Sequence, residues 1–288
     1  FSFERKDLSE KISGEFDVSA NGGYLNFKAR SNWLAENVMN IETSPGNRNV
    51  LIEHTSANPN GPFHVGRARN AILGDTLVRL NRLFGNDVRA EYYVDDMGKQ
   101  VGVLAWALQN LSKQEVDAIL NDEDSINPKW SGKKDHETVR WYQAAQSLRS
   151  KDGADDIEQA ISKLVHASEH GDNSVLDIFE SAYKPVLDGM LETLSRLGIE
   201  FDTFTKESKF VVDGSVSSLM EKLSNLEIHE VAENGAHYLD LGQRGLKGKT
   251  EFFYRRGDGS SLYATRDIAY HMWKWTQCDD LVNILGED

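Results

Sequence analysis

The chain carries, one after another, the apolar run Val50-Leu51-Ile52-Glu53, the loop Ser56-Ala57-Asn58-Pro59-Asn60-Gly61-Pro62 and apolar residues at helical spacing over 65–84. The apolar run predicts a buried strand, because strands covered on both faces read as continuous hydrophobic runs. A second strand is predicted over residues 88–94, directly before Asp95-Asp96. This order of strand, loop, helix and strand predicts a βαβ crossover with parallel strands.

A parallel sheet also predicts where a ligand binds. Ligands of open α/β folds lie beyond the carboxyl ends of the strands, so the loops 53–66 and 94–100 are expected side by side at a site. Farther along, residues 101–200 predict a largely helical insertion, residues 201–265 predict short strands with glycine turns, and residues 266–275 predict another helix. The sequence therefore indicates an α/β fold with a helical insertion.

Composition narrows the class of protein. The 288 residues carry a net charge of −14, and no apolar run is long enough to span a membrane. Charge alone disfavours nucleic acid as a partner, because nucleic-acid binders are usually basic. Residues 111–180 carry half of this net negative charge, with 15 acidic and 8 basic side chains. The remainder of the chain can therefore still present a basic face. The single cysteine, Cys278, excludes an internal disulfide and a cysteine-rich zinc site and favours a cytoplasmic location.

The loop rich in proline and glycine brings His64 to the first turn of the predicted helix. Free backbone N–H groups and the helix dipole favour an anion at such a position. Gly66 lets a ligand approach the backbone, and His64 can donate a hydrogen bond to a phosphate. Spacing alone explains the same residues equally well as a plain helix start with a surface histidine.

Four ordered motifs carry a resemblance to a known family. His64-Val65-Gly66-Arg67 resembles the "HIGH" signature of class I aminoacyl-tRNA synthetases, and the wider stretch 53–66 resembles its arginyl-tRNA synthetase form. The stretches 92–100 and 262–269 resemble the next two motifs of that family, and residues 23–27 resemble the end of its N-terminal tRNA-contacting domain.

The resemblance implies a fold and a domain order. The expected fold is a Rossmann-like parallel-sheet nucleotide-binding fold of the class I synthetase type, with the helical insertion over about 101–200. Residues 1–45 are expected to hold the end of the N-terminal domain and a linker, and residues 46–288 the catalytic domain.

The resemblance also implies an activity, which is activation of arginine with ATP and transfer to the 3′ end of arginine tRNA. The implied ATP-binding residues are Pro62, Phe63, His64, Gly66 and Arg67, of which His64, Gly66 and Arg67 are catalytic. The implied arginine-binding residues are Glu53, Asn58, Tyr263, Asp267 and Glu207. Carboxylates suit this ligand, because a guanidinium is always charged and offers five donors. Mg²⁺ is expected to arrive with the nucleotide, and neither zinc, another protein-held metal nor a membrane is expected.

The sequence departs from the family pattern at two positions. Arg67 stands where the family usually has a second histidine, and it can either reach a phosphate or turn outward. Gly61 stands where some members carry a lysine that substitutes for a weakened "KMSKS" loop. No KMSKS-like string occurs in the sequence, so the chain is expected to stop before that loop and the anticodon-binding domain, and to be inactive alone.

Other interpretations stay open at this point. The chain can be another nucleotidylyltransferase of the same superfamily, or a non-catalytic relative that binds arginine or RNA. Glu53 can be an edge-strand charge and Asp267 a surface helix residue, since acidic side chains are mostly solvated. His166 and His170 permit a metal site, but their order is not HExxH and a solvated helix face is the simpler interpretation.

Overall fold

The computed structural model describes residues 16–21, 24–39, 46–121, 132–151 and 153–285. The chain divides into two compact units, residues 1–46 and 47–288. Within the described ranges, no helix combines the length and the apolar character that a membrane crossing needs.

The smaller unit contains a hairpin and a helix. Strands β1 (Phe16–Asn21) and β2 (Tyr24–Ala29) pair in antiparallel fashion, and helix α1 (Ser31–Met39) follows. The ring centroids of Phe16 and Trp33 lie 5.0 Å apart, so an aromatic contact joins hairpin and helix.

The larger unit alternates between strands and helices. Its elements are β3 Asn49–Thr55, α2 Val65–Leu83, β4 Asp87–Val94, α3 Lys99–Asn110, α4 Lys113–Leu120, α5 Lys134–Arg149, α6 Asp155–Glu169, α7 Asn173–Arg196, β5 Thr203–Lys206, α8 Lys209–Val212, α9 Ser215–Ser224, β6 His229–Val231, β7 His237–Asp240, β8 Glu251–Arg255, α10 Tyr263–Lys274 and β9 Asp280–Asn283. Strands β5, β4, β3 and β9 form a parallel sheet in that order, and β6, β7 and β8 form an antiparallel sheet. The predicted βαβ crossover from β3 through α2 to β4 is confirmed.

Helix α2 packs tightly against strand β3. A Cβ added at Gly74 would lie 1.9 Å from the Cβ of His54, so only glycine permits this approach. The His54 ring stacks on Phe201, with 4.7 Å between the ring centroids. Burial lowers the pKa of His54 to about 4, so the ring is neutral at physiological pH. Beside it, Leu51 and Ile52 are fully buried, as the apolar run predicts.

The helical insertion lies between the neighbouring strands β4 and β5 and comprises helices α3 to α7. Its predicted helical character is confirmed for the described residues. A buried ion pair joins Lys133 to Asp135 at 2.7 Å, and Lys133 also donates to the Gly189 carbonyl at 2.6 Å. These contacts fix the start of α5 against α7.

Residues 201–265 contain more helix than the sequence predicts. Helix α9 lies there, and its Val216 and Leu219 are buried at helical spacing. Helix α10 begins at Tyr263 rather than at residue 266, because the Leu262 carbonyl accepts the first helical hydrogen bonds. Tyr263 therefore sits in the first turn of α10.

Candidate active site

The loops that follow β3 and β4 meet at the carboxyl edge of the parallel sheet. The side-chain amides of Asn58 and Asn60 both donate to the Gln100 side-chain oxygen, at 2.8 and 2.9 Å. The Tyr92 hydroxyl donates to the Ala57 carbonyl at 3.0 Å. The predicted side-by-side placement of these two loops is confirmed.

His64 occupies the N-cap position of helix α2, with extended backbone angles and no side-chain cap. Its imidazole folds over the first turn, because a Cβ added at Gly66 would lie 3.1 Å from both Nδ1 and Cε1 of the ring. Gly66 therefore makes room for the His64 side chain. Pro62 and Phe63 are half-buried, and Phe63 packs against the apolar residues beneath α2, which anchors the loop.

Arg67 points back toward the loop that precedes its helix. Its Nη1 donates to the Asn58 carbonyl at 3.3 Å, and the side chain is half-buried. Together with Gly66, Asn70 and residues 54–57, it lines a cavity of about 200 Å³, to which residues 284–285 after β9 also contribute. Of the two orientations open from sequence, Arg67 adopts the one directed into the fold.

Helix α10 runs along the same carboxyl edge. At its last residue, Lys274 contacts Glu53 of β3, and one turn earlier Tyr270 stacks on Tyr93 near the end of β4, with 4.1 Å between centroids. Tyr263 in the first turn lies beside the loop after β4, since a Cβ at Gly98 would be 3.3 Å from its hydroxyl.

Tyr263 and Asp267 lie one turn apart on α10 and are both exposed. Among the described residues, the Asp267 carboxylate has no hydrogen bond or ion pair. Partial desolvation raises the pKa of Asp267, with Glu53 adding to the rise and His271 opposing it. The Asp267 carboxylate is thus open, meaning exposed and without a bonded partner in the described part of the chain, and it lies near the carboxylate of Glu53.

The other predicted arginine-binding carboxylates already have partners. Glu53 is buried and forms an ion pair with Lys274. Glu207 is buried and accepts from Arg266 Nε at 2.5 Å, and the Asp95 carboxyl lies near it. Burial raises the pKa of both Glu207 and Asp95, so this pair holds a proton that exposed carboxyls would have lost.

The structure gathers the predicted residues into two groups. Asn58 and the residues from Pro62 to Arg67 lie with the loop and the start of α2, where the cavity of about 200 Å³ opens. Tyr263 borders a different cavity of about 320 Å³, whose lining includes Lys99, Glu169 and Arg256.

Sequence reasoning missed the basic partners of the buried carboxylates. Arg266 and Lys274 are both fully buried on α10, and the Arg266 guanidinium also lies over the Tyr263 ring at 4.7 Å. Spacing gave a weak signal for Lys274, which follows Asp267 by two helical turns and so falls on the same helix face.

The His166 and His170 rings stack at 4.1 Å between centroids. In the part of the chain that the structure describes, no group of three or more His, Cys, Asp or Glu side chains is arranged to hold a metal ion.

The parallel sheet, the helix that follows its first strand, and His64 at the start of that helix with Gly66 beside it form one site. The chain belongs to the class I aminoacyl-tRNA synthetases: the family model described as "tRNA synthetases class I (R), catalytic domain" matches residues 30–282.

Within the family, the chain is similar to arginine–tRNA ligases. It is 41% identical over 280 residues to the arginine–tRNA ligase of Methanocella arvoryzae, covering 94% of this chain and 47% of that protein. It is 34% identical over 281 residues to the enzyme of Haloquadratum walsbyi, covering 94% and 45%. The solved arginyl-tRNA synthetase of Thermus thermophilus superposes with a TM-score of 0.60 at 25% identity, covering 93% of this chain and 44% of that one. The chain therefore spans about half the length of these relatives.

Proposed function

We propose that the chain forms the arginine-activating part of an arginine–tRNA ligase. In this reaction the arginine carboxylate attacks the α-phosphorus of ATP and expels pyrophosphate. The 3′-terminal ribose hydroxyl of arginine tRNA then attacks the adenylate and releases AMP. The observation that supports this most directly is that the start of α2 and the open carboxylate Asp267 both lie at the carboxyl edge of one parallel sheet.

The nucleotide half of the proposal rests on the start of α2. Pro62 and Phe63 shape the loop, Gly66 leaves its backbone open, and His64 and Arg67 supply donors near the free N–H groups of the first turn. Such donors stabilise negative charge that develops on the transferring phosphate. Mg²⁺ would enter with the ATP phosphates.

The arginine half rests on charge. Glu53, Glu207 and Asp267 approach one edge of the sheet, and only Asp267 lacks a hydrogen-bonding or ionic partner among the described residues. A guanidinium offers this carboxylate paired N–H donors, whereas lysine offers a point charge. Tyr263 and Asn58 would complete the pocket, with the ring of Tyr263 already held under Arg266.

Arginine tRNA is the proposed acceptor, and the unit of residues 1–46 is the part proposed to contact it. The single free cysteine, Cys278, agrees with the proposed cytoplasmic location.

The test is exchange of radioactive pyrophosphate into ATP, measured with and without arginine tRNA. Exchange that requires arginine, and that lysine and citrulline do not support, is the expected result. Calorimetry with the same three ligands on the purified chain separates binding from chemistry. Arginine binding with no exchange in any protein containing this domain would assign the chain to the non-catalytic relatives, and exchange with a different amino acid would overturn the arginine assignment.

A further inference from the structure

Three polar side chains stand in one row across the parallel sheet. Glu53 on β3 is the register partner of Glu91 on β4 and of Asn283 on β9. Register partners of neighbouring strands project to the same face, so these side chains lie next to one another. Glu91 is fully buried and accepts a hydrogen bond from the Thr203 hydroxyl.

Lys274 places its ammonium over this row. It forms an ion pair with Glu53 Oε2 and donates to Asn283 Oδ1 at 2.8 Å. The ammonium also lies 4.1 Å from the centroid of the Tyr270 ring. The lysine has no exposed surface, so these groups account for its surroundings and hold it in place.

Burying a lysine at this position costs free energy, because desolvation disfavours the charged ammonium. Burial does lower the pKa of Lys274, and Glu53, Glu91 and Asp267 oppose that effect. Two further charged or titratable groups lie nearby among the described residues: Arg89, which acts on Tyr270, and His271, which acts on Asp267. Without Lys274, the adjacent carboxylates Glu53 and Glu91 would repel each other out of reach of water.

We infer that Lys274 is a positioning residue for substrate recognition: by engaging Glu53 Oε2 it fixes the orientation of the Glu53 carboxylate, so that a guanidinium is held between Glu53 and the open carboxylate of Asp267. This inference rests on the proposed arginine-binding function. It assigns the two acids different roles, with Asp267 as the accessible ligand and Glu53 as a carboxylate whose orientation is set from inside the fold. The lysine itself does not touch the substrate.

The charge of Lys274 distinguishes a positioning role from a purely structural one. A buried carboxylate that loses its counter-ion takes up a proton more readily, and a protonated acid no longer complements a guanidinium. Lys274→Met should therefore weaken arginine binding about 10- to 100-fold, the size of effect typical when a group that orients a ligand-binding side chain is removed. Lys274→Arg keeps the charge and should recover most of the affinity.

The experiment is calorimetric titration of the purified chain with arginine and, separately, with ATP, across pH. Lys274→Met should leave ATP affinity unchanged and should move upward the pH at which arginine affinity reaches its plateau. Lys133→Met is the matched control. It removes another buried lysine, which pairs with the carboxylate of Asp135 in the helical insertion. It should lower thermal stability and leave arginine affinity as in the parent chain.

A double variant keeps the test decisive if Lys274→Met does not fold. Glu53→Gln with Lys274→Met leaves no unpaired charge between the two positions, and its arginine affinity should equal that of Glu53→Gln alone, because Lys274 acts through Glu53. Arginine affinity that is unaltered in Lys274→Met, or that falls further in the double variant than in Glu53→Gln, overturns the inference. Asp267→Asn distinguishes failure of the proposed function from failure of the role of Lys274. If Asp267→Asn and Lys274→Met both bind arginine normally, the proposed arginine-binding function fails. If only Asp267→Asn loses arginine binding, the positioning role of Lys274 alone fails.

Discussion

The guanidinium of Arg67 donates to the backbone carbonyl of Asn58 at 3.3 Å, which ties the first turn of α2 to the loop that leads into it. The hydrogen bond uses Nη1 of the side chain, and the residue lines the cavity at the helix start. Arg67 thus lies at the N-terminus of α2, the part of a helix that favours an anion, and its phosphate role stays a proposal.

Replacement of Arg67 should separate a phosphate role from a structural one. If Arg67 stabilises the transferring phosphate, Arg67→Ala should lower kcat about 100- to 1,000-fold, as removal of one transition-state donor does. Arg67→His should retain much of the activity. Arg69→Ala, an exposed arginine on the same helix, is the control and should be nearly silent in pyrophosphate exchange. Equal activity of the Arg67 and Arg69 variants would contradict the phosphate role.

Two glycines of helix α2 should respond in opposite ways to the same change. Gly66→Ala should not lower thermal stability, because the site is exposed and alanine favours a helix, but its methyl group displaces the His64 ring and should reduce the rate with ATP. Gly74→Ala should destabilise the fold by at least about 1–3 kcal/mol, because its methyl group overlaps His54. Melting temperature and exchange rate, measured side by side, check both. A Gly66→Ala protein with full activity would show that the His64 position is not needed.

Asp267→Asn removes the open carboxylate and keeps its size. The expected loss is about 1.5–3 kcal/mol in arginine binding, the range for a hydrogen bond to a charged group, and it should appear in the arginine KM rather than the ATP KM. Asp188→Asn, on exposed surface of the insertion, is the control. A change in the ATP KM with no change in the arginine KM would contradict the assignment of Asp267 to arginine binding.

The buried acids Glu207 and Asp95 should make stability depend on pH. Their raised pKa values mean that the folded state keeps a proton which the unfolded chain releases, so their contribution to stability falls as pH rises between about 5 and 8. Glu207→Gln resembles the protonated form and should flatten this fall in the free energy of unfolding by up to about 1.4 kcal/mol per pH unit, which denaturant titrations across pH measure. Glu230→Gln, on exposed surface, should leave the slope unchanged. A slope that Glu207→Gln does not alter would locate the proton elsewhere.

Local patterns were sufficient for the parts of the fold that are close in sequence. The run from Val50 to Glu53 predicted β3, and the loop after it predicted the start of α2, because continuous apolar residues and turn residues act over a few positions. The meeting of the loops 53–66 and 94–100 followed from the topology of parallel strands alone.

The partners of buried charges could not be predicted in the same way. Lys274 contacts a glutamate more than two hundred residues earlier, and nothing local marks it as buried, since lysines on helices are usually solvated. Arg266 likewise meets Glu207 only after α10 packs on the sheet. Helix α9 was missed because its short apolar repeat lies between glycine and asparagine turns that suggested strands.

The order of strands in the parallel sheet also constrains how the chain can fold during synthesis. β3 and β4 can pair as soon as both exist, but the other edge of β3 receives β9, which follows more than two hundred residues later. At ribosomal rates of about 5–20 residues per second, that edge waits for roughly 10–45 s. During this interval β3 presents unpaired backbone groups and the apolar side chains of Leu51 and Ile52, which is the condition under which strands associate with the wrong partner. The polar row that contains Asn283 is completed only when β9 arrives, so the proposed substrate pocket is among the last parts of the molecule to take shape.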